Sequence, residues 1–253
     1  MIIGLLNLIL FVIGMFLLVP KKIWKKSLFD YKQIFSYHYV YLLIIIVIVA
    51  VHLLEVKILD QNATNLIGHN FTCNFQTIED GIVYWFSQNW TPVFLYFFVF
   101  IYIVLYPFTL WFCLLYFLIA DERIAMKTFT YSLLLIYAIA LPFYLFFPVT
   151  NVYIYYGSTS ALNAVIPGVE QFFYATTTDN NCFPSLHVAI SLLVAKTVFL
   201  TTNKRFIYLA YFCAICVICS VIYLAIHWIT DVIGGMLLAF SVFYLIKRFI
   251  KET

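Results

Sequence analysis

Three ionisable side chains stand in patterns that could do chemistry. His227 and Asp231 sit four apart in His227-Trp-Ile-Thr-Asp231, and His187 closes Cys182-Phe-Pro-Ser-Leu-His187 forty residues earlier. On a helix, positions i and i+4 face one another. Asp231 would then accept a hydrogen bond from one nitrogen of His227, fixing the tautomer and leaving the other nitrogen free as a nucleophile. His187, arriving from a different helix, would protonate a leaving-group oxygen. A helix opened by Pro184 and Ser185 offers unpaired N–H groups and a positive dipole end, which suit a phosphate. A nucleophile with an orienting carboxylate, a separate acid and an anion seat make a site for phosphoryl transfer through a phosphohistidine.

The elements that must hold these residues are set by composition. Of 253 residues, 65% are of the hydrophobic class AVILMFWYC and only 10% are charged. A soluble domain carries about a quarter charged residues, so this chain has too few to cover a water-facing surface. Cytosolic enzymes, secreted disulfide scaffolds, disordered segments and nucleic-acid binders are excluded. A bilayer core of about 30 Å needs roughly 20 apolar residues per helix, and runs of that kind lie at about 2–19, 38–56, 90–119, 127–147, 185–202, 206–224 and 227–246. The runs lack the alternation of barrel strands. The expected fold is therefore an all-α integral membrane bundle of about seven helices, with the over-long third span, which carries Pro92 and Pro107, kinked, tilted or begun outside the bilayer.

Charge placement orients the bundle. Twelve of the fourteen Lys and Arg fall in the segments after the first, third, fifth and seventh spans, led by Lys21, Lys22, Lys25, Lys26 and Lys32. The positive-inside rule makes that side cytoplasmic, with the amino terminus outside and the carboxyl terminus inside. The first span has a lysine cluster after it and none before it, the reverse of a cleaved signal peptide, and reads as a retained anchor. The loop 57–89 is then external and carries three glycosylation patterns, at Asn62, Asn70 and Asn89. The stretch 148–184, also external, has no Lys or Arg. His187 and His227 both open spans at this external face, so the active site is expected there.

Phe-Pro-Ser-Leu-His187 resembles the second motif, P-S-x-H, of the type 2 phosphatidic acid phosphatase superfamily. Ser220, six further residues, His227, three more and Asp231 resemble its third motif, S-R-x5-H-x3-D. The resemblance covers about the last 110 residues. It implies that His227 is the nucleophile, Asp231 its orienting partner and His187 the acid, with Ser185 contacting phosphate and neither metal nor cofactor in use. It also divides the chain into N-terminal transmembrane helices over 1–120 and a catalytic core over 121–253. Two departures stand out. The first motif, K-x6-R-P, is absent from 120–150, where Phe146-Phe-Pro148-Val-Thr-Asn151 takes its place, and Val221 replaces the arginine of the third motif. In these features the chain is most similar to the inositol phosphorylceramide synthase branch, and sphingomyelin synthases share a comparable triad.

The missing cations bear on the substrate. A phosphate monoester or diphosphate is at least dianionic near neutral pH and calls for several cations, whereas Lys57 is the one basic residue in an external loop. A phosphodiester carries one negative charge, within reach of helix N–H groups, Pro184-Ser185, a protonated His187 and Lys57. The leading expectation is a membrane enzyme that moves the phospho-headgroup of a phospholipid to an acceptor hydroxyl or to water. Hydrolysis of a lipid phosphate or polyprenyl diphosphate is the alternative. A transporter or proton relay would also bury His and Asp, but no inverted repeat is evident and the ionisable cluster lies at one face. A His/carboxylate metalloenzyme leaves Pro-Ser-x-His without a role, and a vanadate peroxidase needs the missing cations.

The remaining polar residues have plainer readings. His38 and His52 are expected to be interfacial or packing residues, and His69 has no catalytic company. Lys57 and Lys196 each suit a snorkelling lysine. Asn151, Asn180 and Asn181 read as turn or cap residues, with Asn181 a candidate cap of the fifth helix. Cys113, Cys213, Cys216 and Cys219 fall in spans as small apolar residues. Cys73 and Cys182 share the oxidising face, where a disulfide and two free thiols remain equally open. Nothing in the chain sets an oligomeric state.

Overall fold

The computed structural model describes residues 2–252, leaving aside the side chains of 2, 172, 173, 251 and 252. Seven principal helices form one bundle: α1 (Ile2–Leu18), α2 (Leu28–Ile67), α3 (Pro92–Ala120), α4 (Arg123–Phe146), α5 (Leu186–Val198), α6 (Lys204–Tyr223) and α7 (Ile229–Glu252). Among the described residues there is no strand, only an isolated bridge between Val149 and Asn181. The fold is all-α and polytopic. Helices α2, α3, α4, α6 and α7 are long and apolar enough to cross a membrane, while α1 and α5 are shorter apolar helices at two of the expected spans. Leu8, Phe16, Val47, Ile215 and Leu237 point outward, as a lipid-facing surface requires, since lipid leaves apolar side chains nothing to gain by turning inward.

Local chemistry sets the helix ends. Ser27 and Asp30 form a capping box at the start of α2, satisfying two of the N–H groups that a helix start leaves unpaired. Asn203 caps α6 by accepting from the Phe206 N–H at 3.2 Å. Short α5 lies at the centre, packed against α3, α4, α6 and α7, and α1 leans on α3.

One expectation needs correction. The segment 57–89, expected as an external loop, is largely helical. α2 runs without a break to Ile67, through a π turn at Glu55–Leu59, and ends at Gly68, whose φ of +63° suits glycine. Two further helices follow, Thr72–Glu79 and Ile82–Gln88. Hydropathy marks which part of a helix suits lipid, not where its backbone hydrogen bonds stop. The third span is likewise continuous. Pro92 sits at its first turn, and the donor that Pro107 lacks is absorbed next to a second π turn, Ile101–Leu105.

The basic segments meet at one end of the bundle. There the Lys26 ammonium donates to the Ile119 carbonyl at 3.0 Å, and Asn203 and Arg205 donate to Leu18 and Leu17. The residues that open α5 and α7 gather at the other end.

Candidate active site

The loop from α6 to α7 is shaped for a sharp reversal. Ala225 has φ of +54°, a left-handed conformation uncommon outside glycine. The N–H groups of Ile226 and His227 both donate to the Val221 carbonyl, closing α6. His227 therefore precedes α7 rather than lying on it, which corrects the expectation of two residues on one helical face. The pair forms all the same. His227 Nδ1 is 3.3 Å from Asp231 Oδ2, and the same carboxylate oxygen accepts the Trp228 backbone N–H at 2.9 Å. An aspartate in the first turn can take both donors because the start of a helix leaves its N–H groups unpaired. Asp231 is fully buried and His227 nearly so.

The start of α5 is locked against α7. Ser185 is its N-cap, accepting from the Val188 N–H at 3.4 Å, while its own N–H donates to the Asp231 carbonyl. Ser185 is wholly buried and spends its hydroxyl on this cap. The Pro184 carbonyl accepts from the Tyr144 hydroxyl at 2.8 Å. Neither residue is among those lining the cavity beside the histidines; Pro184 and Ser185 position the start of α5, whose next two residues do line it. Asn181 does not cap α5; its amide donates to Glu55. Gly234 and Gly235 on α7 make the close approach possible. A Cβ on Gly235 would lie 2.4 Å from the Ser185 carbonyl oxygen, and one on Gly234 would lie 2.6 Å from the Phe183 ring.

These contacts bring the His187 and His227 rings to 5.8 Å between centroids. The Tyr102 hydroxyl, from the middle of α3, lies 3.0 Å from His187 Nε2, and the Tyr106 ring packs beside it. Both histidines open onto one cavity of about 400 Å³. Its wall is mainly apolar, with Ile45, Ile48, Leu110, Leu133 and Ile190 below the histidines and Asn151, Thr177 and Asn181 around them. The lining includes no lysine or arginine. Lys57 is exposed on the π turn of α2 and outside that wall, so its expected role as a phosphate ligand is not supported.

The model of the PAP2 superfamily matches residues 77–245, about two-thirds of the chain. The chain belongs to the PAP2 superfamily. No curated protein and no solved structure gives a match. Membership of the PAP2 superfamily suggests phosphatase or phosphotransferase activity on phosphate esters.

In this PAP2-superfamily chain the segment that replaces the first motif has a structural task. Val149 and Asn151 donate to the Asn180 and Asp179 carbonyls, and Thr150 O accepts the Trp228 indole N–H at 2.8 Å. Cys182 is drawn beneath the triad, where its thiol donates to Asn151 Oδ1 at 3.1 Å. Cys73 is exposed and 3.7 Å from the Tyr155 hydroxyl. Both are free thiols, so the disulfide is not formed. Burial pushes the Cys182 thiol well above its usual value, with the nearby Asp231 and Asp179 charges adding to it. Cys182 Sγ, a His227 nitrogen and an Asp231 oxygen do lie within 4.8 Å of one another, a set of donors that a transition metal accepts.

Residues outside the motifs also build the site. The Glu79 carboxylate accepts the Ile229 and Thr230 N–H groups at 3.0 and 2.7 Å, capping α7 from 150 residues away. His52 donates from Nε2 to the Thr176 carbonyl, 2.9 Å away, and lines the cavity. The other expectations fall into place as packing. His38 is buried against Asp121 at 3.1 Å, His69 packs edge-to-face with Phe71, and the Lys196 ammonium lies 5.1 Å from the centre of the Phe240 ring. Asn180 ties the 176–182 segment to Thr64.

Proposed function

We propose that this protein is a lipid phosphotransferase of the inositol phosphorylceramide synthase-like type, working through a phosphohistidine on His227. The observation that carries the reading is the His187–His227–Asp231 cluster opening onto an apolar cavity free of lysine and arginine. Nδ1–H of His227 donates to Asp231, which leaves Nε2 with its lone pair directed at phosphorus. As the new N–P bond forms, the P–O bond to the leaving alcohol breaks, and His187 gives that oxygen its proton. In the second half an acceptor hydroxyl, or water, loses its proton to His187 and attacks phosphorus, releasing His227.

An apolar cavity of this kind fits acyl chains, and a wall without cations fits one negative charge better than two. The positive end of α5, at Leu186 and His187 on the cavity wall, would seat that charge. The triad comes from the 121–253 core, and the 1–120 helices supply Ile45, Tyr102 and Tyr106 to the wall. The gathering of basic segments at the opposite end supports an active site on the external face and a cytoplasmic carboxyl terminus.

The test is a lipid panel presented to protein purified in mixed micelles, with free phosphate and headgroup transfer measured in parallel. Diester turnover, lost by about 10² to 10⁴ in His187→Ala and abolished in His227→Ala, is the expected result. Efficient turnover of lipid mono- or diphosphates with diesters left intact would refute it. A metal-dependent second reading rests on the Cys182, His227 and Asp231 donors. Addition of 1,10-phenanthroline separates the two, because only that reading requires a loss of rate.

A further inference from the structure

At the triad's end of the bundle, α2 carries two buried carboxylates across its π turn. Glu55 is 1% exposed and Asp60 is 4% exposed. Among the described residues, the basic group within ion-pair distance of either is His52, whose Nδ1 is 3.3 Å from Glu55 Oε2. Buried carboxylates of this kind require a compensating cation or a proton.

The segment facing them supplies oxygen. Asn181 donates its amide to Glu55, and Asn180 donates to Thr64 Oγ1 at 2.7 Å, one turn beyond Asp60. Thr178 and Asn180 lie within hydrogen-bond reach of the Asp60 carboxylate, and the amide oxygens Asn180 Oδ1 and Asn181 Oδ1 are buried with no hydrogen-bond partner. Orphaned buried polar atoms are rare, and an ion or water at the spot is a common cause. Two carboxylates, two amide carbonyls and one hydroxyl also make a hard, all-oxygen donor set. Calcium takes six to eight such ligands in flexible geometry, whereas thiol or imidazole sets select softer metals. A π turn is a frequent mark of a functional position within a helix.

We propose that Glu55, Asp60, Thr178, Asn180 and Asn181 bind one divalent cation of the calcium class, separate from the triad. The cation ties the outer turn of α2 to the 178–181 segment. That segment leads directly into Cys182, Ser185 and His187, so occupancy orders the chain that delivers the acid to the site. The role is structural, and the ion takes no part in bond making.

The experiment uses full-length protein in detergent micelles, stripped with chelator and titrated by calorimetry with calcium chloride and, in parallel, magnesium chloride. No substrate is present, so the result stands apart from the reaction assigned above. One saturable calcium site per chain is expected, with a melting temperature that rises on binding. Asp60→Asn should weaken calcium at least tenfold, while Asp30→Asn, an exposed carboxylate at the far end of α2, should leave it unchanged. Should Asp60→Asn not purify as a folded species, Asn180→Ala removes a ligand without altering charge and must also weaken binding. Wild-type protein that binds neither ion saturably would overturn the proposal, as would variants that bind calcium as tightly as wild type.

Discussion

Gly235→Ala places a single methyl group where α7 meets the start of α5. Its Cβ would sit 2.4 Å from the Ser185 carbonyl oxygen and 3.3 Å from Val188 Cβ. Relieving the first contact to an ordinary 3.4 Å requires about 1 Å of separation. A flexible side chain could swing away, but this oxygen belongs to the N-cap residue, so α5 itself has to shift. Overpacking of this kind costs about 1–3 kcal/mol, offset by up to about 1 kcal/mol from the better helix propensity of alanine. The loss of stability is therefore modest. The catalytic loss is larger, because His187 rides on the helix that moves while His227 does not, and about 1 Å of misplacement costs roughly 10² in rate. Gly4→Ala, with nothing within 4 Å of its Cβ, is the matched control. Initial rates in mixed micelles and tryptophan-fluorescence melting read both quantities. Wild-type rate together with wild-type melting in Gly235→Ala would show that this helix contact does not set the distance between the histidines.

Two further outcomes follow from single contacts. Tyr102→Phe keeps the ring beside His187 and removes only the hydroxyl at 3.0 Å from Nε2. A neutral hydrogen bond is worth about 0.5–1.5 kcal/mol, so kcat should fall by about two- to tenfold with KM and melting unchanged; an unaltered kcat would refute a role in holding the acid. Asp121 lies between α3 and α4, where burial pushes its carboxyl up but hydrogen bonds from Arg123 and His38 outweigh that and hold it below the usual range. A lowered folded value means the pair stabilises fully above the unfolded carboxylate range, near 3.9, and is lost as pH falls through the lower folded value. Asp121→Ala strands a fully buried His38, at a cost of about 1–3 kcal/mol. Its melting temperature at pH 7 should drop, and the gap from wild type should narrow in acid; a gap independent of pH would count against the ion pair.

The residues of the triad were legible because their types are rare in an apolar chain. A histidine or aspartate in a span is too costly to be there without a use, and Pro-Ser ahead of His187 marks a helix start. Fold class was legible for a similar reason, since a chain with 10% charged residues has few alternatives to a membrane. What misled was the register of His227 and Asp231. Their spacing is helical, but the hydrogen bond is made across a helix start after the left-handed turn at Ala225. The reach of α2 past its apolar run to Gly68 was hidden too, because polar residues are as able to continue a helix as apolar ones.

Composition and spacing alone determined that this chain lies in a bilayer and carries an imidazole–carboxylate pair with a second imidazole. Only the tertiary structure decided that Gly235 lets two helix starts meet, that Glu79 caps α7 and that Tyr102 holds His187. It also decided that Cys182 lies beneath the triad rather than in a disulfide with Cys73. The physical reason is one of range. Solvent preference and helical period act residue by residue and leave their mark on the chain. A hydrogen bond or a 2.4 Å approach between residues 50 to 150 apart exists only after the helices have packed.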